Sequence, residues 1–310
     1  MPKFSVIISV YNKANFIQKT IKSVLDQTED DYEIIIVNDA STDNSEGVIQ
    51  SLHNPKIKYH CFKQNKGAAS ARNKGIELAT GKYLAFLDGD DLWDNTYLSE
   101  IETLITSFPD HKVFAAAVTI QEHDGKRNSR YSFLNPDKEE HLSLNYFESS
   151  IKNTILTSSS TVVEKSVFAH TGAYDTSIKS GQDTDLWIRI GLEHRVAFST
   201  KELVTYTFAP SSLYQSVKTV KDKPNFATYE HLEKDNLALK KFLDINRFSL
   251  AIRAKVWKEP LEAQFFVERI DHKNLTRKQR SLLKASPQLL GFLFKVKRGL
   301  EKVGLRLFVH

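Results

Sequence analysis

Residues 4–43 read FSVIISVYNKANFIQKTIKSVLDQTEDDYEIIIVNDASTD, and their pattern decides the fold class. Phe4 to Val10 is an apolar strand that breaks at a turn around Asn12. Asn15 to Leu25 then repeats Phe16, Ile17, Ile21, Val24 and Leu25 at helical spacing. Glu33 to Val37 is a second strand, closing in the polar run Asn38-Asp39-Ala40-Ser41-Thr42-Asp43. Ser41 or Asp43 would cap a helix through Val48, Ile49 and Leu52. The alternation continues outward: Ile57 to Phe62 is a strand, Ala68 to Thr80 a helix ending at Gly81, and Tyr83 to Leu87 a fourth strand. Fully apolar strands between helices imply a parallel sheet covered on both faces. Ligands of such sheets bind beyond the carboxyl ends of the strands. Those ends carry Tyr11, Asp39 and Asp88, so three polar loops should converge on one edge.

Further along, Asn95 to Phe108 reads as a helix, Val113 to Ile120 as a strand, and residues 122–144 as a variable loop or lid. Thr157 to Val163 looks like a strand, Lys165 to His170 a short helix, and Asp183 to Glu193 a firmer one. After Ser216 the chain turns helical and basic, interrupted at Pro224, Pro260 and Pro287. The expected organisation is one α/β domain over residues 1–215 and a helical basic region over 216–310. The 310 residues carry a net charge of +5, but about 21 basic and 10 acidic side chains lie from Lys218 onward, leaving the rest near −6. The single cysteine, Cys61, forbids an intramolecular disulfide, which fits a reducing compartment. No leader peptide is expected from the short run Val6 to Val10, and no apolar run approaches the ~18 residues of a membrane span.

The next decisive stretch is Phe86-Leu87-Asp88-Gly89-Asp90-Asp91-Leu92-Trp93. If strand geometry persists through it, Asp88 and Asp90 point the same way. Two such carboxylates suit a hard divalent ion that shares its shell with waters and phosphate oxygens. The competing reading is a helix cap by Asp90 or Asp91.

Four motifs occur in order at the strand ends: Val6 to Asn12, Val37 to Asp43, Asn65-Lys66-Gly67 with Ala71-Arg72-Asn73, and Leu87 to Asp91. Together they resemble the inverting family 2 glycosyltransferases, which have the GT-A nucleotide-diphospho-sugar fold. The resemblance covers roughly residues 3–215, and Thr157-Ser158-Ser159 and Gly181 to Trp187 extend it. It implies a mainly parallel central sheet flanked by helices, with a helical C-terminal extension. It also implies a nucleotide site at Val10, Tyr11 and Asn12, with Tyr11 against the base. Asp39 would accept the uracil imide N–H, as an acceptor-only carboxylate can; a turn-forming Asx role is the alternative. Lys66 and Arg72 would face the phosphates, although Lys66 also reads as surface charge. Asp88 and Gly89 would approach the ribose or a metal-bound water, Asp90 would bind Mn2+ or Mg2+, and Asp91 would cap or align.

An inverting transfer needs a general base opposite the leaving diphosphate. The resemblance places it at Asp183, with Asp185 as fallback or as a helix-capping carboxylate. Relatives usually have Glu where this chain has Gln182, a change expected to bear on acceptor contacts. Trp93 and Trp187 read either as floors for sugar rings or as core. A late His common in relatives is replaced by Ala209, so the ion would be held by Asp90, phosphate and water alone. The ten His residues show no zinc-type spacing.

Residues 286–309 mix apolar and basic side chains in the manner of a membrane-surface helix, with a core-covering helix or a subunit contact as alternatives. The expected protein is a cytoplasmic transferase, peripheral on the inner face of the cell membrane. Its expected partners are a UDP-sugar donor and a glycan or lipid-linked acceptor of surface-polysaccharide synthesis. Nucleic acid is not an expected partner, and self-association stays open. A nucleotidyltransferase is the competing enzyme, though Tyr11-Asn12-Lys13-Ala14-Asn15 lacks the Gly-rich loop it would need. An inactive nucleotide-sugar-binding module is the non-enzymatic alternative.

Overall fold

The computed structural model describes residues 1–122, 125–133, 135, 137–207 and 217–302. A ten-stranded sheet runs in the order β3-β2-β1-β4-β9-β6-β10-β5, with β7 paired to β6 and β8 to β10. The strands are β1 Phe4–Val10, β2 Tyr32–Asn38, β3 Ile57–Cys61, β4 Tyr83–Asp88, β5 Leu92–Trp93, β6 Val113–Glu122, β7 Gly125–Asn128, β8 His141–Leu144, β9 Thr161–Glu164 and β10 Val196–Thr207. β1 to β4 are mutually parallel, as the apolar strands required, and β6 is parallel to β10. β9 enters antiparallel between β4 and β6.

Alternation across β1 divides the core between the two faces of the sheet. Ile7, with Ile35, Val37 and Phe86, packs on the side of helix α3 (Ala68–Leu78). Val6, Ile8 and Val10 pack on the other, with Ile17, Ile21 and Val24 of helix α1 (Ile17–Leu25). Gly75 lets α3 lie against β1, since a Cβ there would collide with Ile7 Cγ2. That close approach brings Arg72, one turn earlier, over the strand ends. The remaining helices of the sheet domain are α2 Ser45–Gln50, α4 Tyr97–Ser107, α5 Tyr146–Ser149, α6 Phe168–Thr171 and α7 Gln182–Glu193.

Two expectations change, and one strand is added. The stretch 122–144 is not only a loop, because β7 folds back on β6 and β8 pairs with β10. The charged Lys126 and Arg127 mask the strand there. β10 escapes pattern reading because register shifts between Ser199, Glu202 and Val204 break its period of two. The strand expected from Thr157 begins only at Thr161, and residues 157–160 form a turn.

The C-terminal helices are α8 Leu237–Val256, α9 Pro260–Glu268, α10 Arg277–Lys284 and α11 Pro287–Lys302. They rest on the same apolar core: Phe242 packs on Tyr146 and Phe147, with ring centroids 5.3 and 5.6 Å apart. A buried charge cluster sets α8 in place. Arg247 and Asp244, both fully buried, lie 3.5 Å apart, and Arg247 also pairs with Glu233. Lys240 reaches Asp244 at 2.6 Å and Glu233 at 3.0 Å. The second oxygen of Asp244 accepts from Asp271 N and Asn274 Nδ2. The carboxylates are thus satisfied, as burial demands. Among the described residues, no helix is long and apolar enough to cross a membrane.

Candidate active site

A cavity of about 560 Å³ opens at the carboxyl edge of β1, β2 and β4. Val10, Tyr11, Asp39, Arg72, Asp88, Gly89, Asp90, Gln182 and Asp183 all line it. Nine of the residues singled out from sequence therefore meet in one space, although they come from five separate segments.

The loop after β1 is tied to the loop after β2. Asn12, at φ 53°, accepts the Thr42 N–H on its Oδ1 at 2.8 Å and donates its own N–H to Ser41 Oγ at 3.0 Å. Its side chain is spent on this tie, and it leaves Tyr11 45% exposed on the cavity rim. Asp39 is buried, and its two oxygens accept the backbone N–H groups of Lys66 and Gly67 at 2.7 and 2.8 Å. Burial raises its pKa, against those two hydrogen bonds. Each carboxylate oxygen has a second lone pair, so the clamp leaves acceptor capacity toward the cavity. Both readings of Asp39, turn former and ligand acceptor, are thereby compatible in one side chain. Lys66 itself is exposed, with its ammonium 4.9 Å from the Phe62 ring centroid, and does not line the cavity.

Arg72 is buried and donates from Nη2 to Asp88 Oδ1 at 2.5 Å. Burial disfavours its charge, but Asp88 foremost, with Tyr174 and Asp183, raises its pKa overall. Its Nη1 has no hydrogen-bond partner among the described residues. A buried guanidinium with a spare donor on a cavity wall suits a phosphate oxygen. Asn73 anchors this helix by bonding both the N–H and the carbonyl of Tyr174.

Strand geometry stops at Asp88, and residues 89–90 form a turn. Alternation therefore does not orient Asp90. Its Oδ2 instead accepts from Lys13 Nζ at 2.5 Å, a partner the sequence reading did not single out. Only the adjacency of Lys13 to Tyr11-Asn12 could have suggested it. Burial and Asp88 push the Asp90 pKa up while Lys13 opposes them. Among the described residues, no group of three or more His, Cys, Asp or Glu side chains forms a ready metal site. Asp88 and Asp90 nevertheless offer hard oxygen donors on a shared cavity, which fits an ion that completes its shell with phosphate and water. Ala209 lies outside the described residues.

Asp91 is not a helix cap: helix α4 starts at Tyr97, with Thr96 at its N-cap position. Fully buried, it accepts from Ser159 Oγ at 2.5 Å and from Thr207 N at 2.8 Å, so it ties the acidic turn to the end of β10. Burial, then Asp88 and Asp90, raise its pKa well above the usual carboxylate range. Ser159 also accepts the Asp88 N–H at 3.1 Å, which gives the Thr157-Ser158-Ser159 motif its structural task.

Trp93 and Trp187 belong to the core, not to the cavity floor. Trp93 stacks on Tyr97 at 4.2 Å and donates to the Ser159 carbonyl, while Trp187 packs edge-on against Phe86 and Tyr174. Asp183 is the second residue of α7, and its side chain accepts a hydrogen bond from its neighbour Thr184 N at 2.8 Å. Asp185 is committed elsewhere, to Arg189 at 2.9 and 3.0 Å and to the Tyr229 hydroxyl at 2.6 Å. Gln182 is buried and lines the cavity, and its Oε1 has no hydrogen-bond partner among the described residues. The opposite wall comes from beyond residue 215, notably Lys223, Asn246, Ser249 and Arg253.

A sheet whose parallel strands β1 to β4 carry acidic loops at their carboxyl edge, with helices on both faces, is the architecture of the GT-A fold. Residues 5–172 match the family described as Glycosyl transferase family 2, and the chain belongs to that family. It is similar to the glycosyltransferase TuaG of Bacillus subtilis (strain 168), named for teichuronic acid biosynthesis. The two are 30% identical over 243 residues, 75% of this chain and 89% of TuaG. An uncharacterized glycosyltransferase of Rickettsia bellii (strain RML369-C) is 33% identical over 201 residues, 65% of this chain. The chain spans only 28% of that relative's length. Over 101 residues it is 44% identical to the Escherichia coli UDP-Glc:alpha-D-GlcNAc-diphosphoundecaprenol beta-1,3-glucosyltransferase WfaP, covering 32% of this chain and 39% of WfaP. The crystal structure of S. aureus TarS 1-349 in complex with UDP shares the fold, with TM-score 0.61 and 18% identity over 91% of this chain and 90% of that one.

Proposed function

We propose that this glycosyltransferase moves a sugar from a UDP-sugar to a hydroxyl of a glycan or lipid-linked acceptor in cell-surface polysaccharide synthesis, inverting the anomeric centre. The observation that carries the reading is the single cavity holding Tyr11, Asp39, Arg72 and the Asp88-Gly89-Asp90 turn with Asp183. In this mechanism Tyr11 lies against the uracil, Asp39 accepts its imide N–H, and Arg72 holds a phosphate oxygen. The acceptor oxygen attacks the anomeric carbon while the bond to the diphosphate breaks. The hydroxyl proton passes to Asp183, and the electron pair of the broken bond leaves with the nucleoside diphosphate. A Mn2+ or Mg2+ on Asp90, with Asp88 beside it, would neutralise charge on the leaving diphosphate. Lys13 must then give up its contact with Asp90 or share it. The UDP reading is supported by the complex of TarS with UDP and by the donor in the name of WfaP.

A panel of nucleotide sugars, assayed by nucleoside diphosphate release with and without Mn2+ or Mg2+, tests this. UDP release from one UDP-sugar, lost on chelation, is the expected result. Turnover of a guanosine or thymidine donor alone would sink the uracil assignment. No release from any donor would favour a binding module.

We further propose attachment to the inner face of the cell membrane through α11. Leu289, Phe292, Leu293 and Phe294 are exposed there, in a region rich in Lys and Arg. Such a surface buries apolar side chains among acyl chains and places cations at anionic headgroups. The full chain should float with phosphatidylglycerol vesicles, and Phe292→Glu with Phe294→Glu should stay at the bottom of the gradient. Equal flotation of both proteins would remove the idea.

A further inference from the structure

Arg72 and Lys13 serve the donor-side carboxylates Asp88 and Asp90. The cavity nevertheless carries a second pair of cations, Lys223 and Arg253, on the wall supplied by the C-terminal region. Lys223 Nζ donates to Ser180 Oγ at 2.8 Å, two residues before Gln182. Gln182, 6% exposed, lines the same space, and its Oε1 has no hydrogen-bond partner among the described residues. These groups stand beside Asp183, whose negative charge reaches Lys223.

We propose that Lys223 and Arg253 form an oxyanion subsite for the acceptor, which carries a phosphate or carboxylate close to the hydroxyl that receives the sugar. This rests on the donor reading above, because the acceptor must approach from the Asp183 side. Two like charges lining one cavity repel, and a bound anion turns that repulsion into attraction. Burial first, and Arg253 second, lower the Lys223 pKa to about 8, while Asp183 and Asp222 only partly counter them. Guanidinium and ammonium together suit a tetrahedral or planar oxyanion. The Gln182 Oε1, an acceptor only, would accept a hydrogen bond from a neighbouring sugar hydroxyl. A Glu there would add a negative charge beside the anion, so an amide is the residue compatible with such an acceptor.

The test uses the full chain and calorimetry. UDP with Mn2+ is titrated first, and inorganic pyrophosphate is then titrated into the UDP-saturated protein. The expected result is pyrophosphate binding to wild type, weakened at least ten-fold in Lys223→Gln/Arg253→Gln, with UDP affinity within two-fold of wild type. If UDP binds but pyrophosphate does not, the subsite is overturned and the donor reading stands. If the double variant loses UDP affinity to the same degree, the cations belong to the donor diphosphate and the inference fails. If UDP itself does not bind, the donor reading falls first and takes this one with it. The two single variants, each with a smaller loss, replace the double variant if it does not fold.

Discussion

Asp183→Asn is expected to lower sugar transfer about 10³-fold, within the range general-base loss produces, which corresponds to about 4 kcal/mol of activation free energy. The side chain is well placed for a clean experiment. It accepts a local hydrogen bond from Thr184 N, which an Asn oxygen can also accept. Folding and UDP affinity should therefore survive while kcat falls, and the donor KM should barely move. Asp185→Asn is the informative companion. It removes the charge that holds Arg189 and weakens the acceptor for Tyr229, so it should lower thermal stability more than kcat. The opposite pattern, near-normal transfer in Asp183→Asn and collapse of kcat in stably folded Asp185→Asn, would move the base to Asp185.

Arg247→Ala should be the most destabilising substitution in the C-terminal region. It leaves Asp244 and Glu233 sharing the Lys240 ammonium in place of two cations. Breaking one partner of a buried charge cluster costs about 3–5 kcal/mol. The surviving Lys240 contacts argue for the lower end, about 3 kcal/mol, and a midpoint on the order of 10 °C lower by thermal denaturation. A loss below about 1 kcal/mol would show that α8 is held by its apolar face alone. Because Asn246, Ser249 and Arg253 lie on that helix, the same variant should also weaken acceptor use before it melts the protein.

The donor half of the site was legible because parallel sheets place their chemistry by rule. Once β1, β2 and β4 were read as apolar strands, Tyr11, Asp39 and Asp88 had to share an edge. What stayed hidden depends on contacts between distant residues. Lys13 meets Asp90 across 77 positions, and Asp91 meets Thr207 across 116, and neither pairing leaves a local pattern. The tryptophans look alike as residues, and only packing shows both to be core. Lys223 and Arg253 read as two more charges in a basic tail until the turn after Val220 and helix α8 bring them, one each, to the cavity.

The far wall of the cavity has a consequence for how such enzymes diversify. The Rickettsia relative aligns over 201 residues, a length comparable to the sheet domain, whereas the acceptor-side cations lie beyond position 215. Under the function proposed above, an exchange confined to the tail would alter the acceptor and leave the sugar donor as it was. The exchange has a seam, however. Phe242 is moulded onto Tyr146 and Phe147, so a transplanted tail would have to bring matching aromatic partners or find them already in place. Chimeras cut at the sheet boundary should thus succeed only between relatives that agree at those three rings.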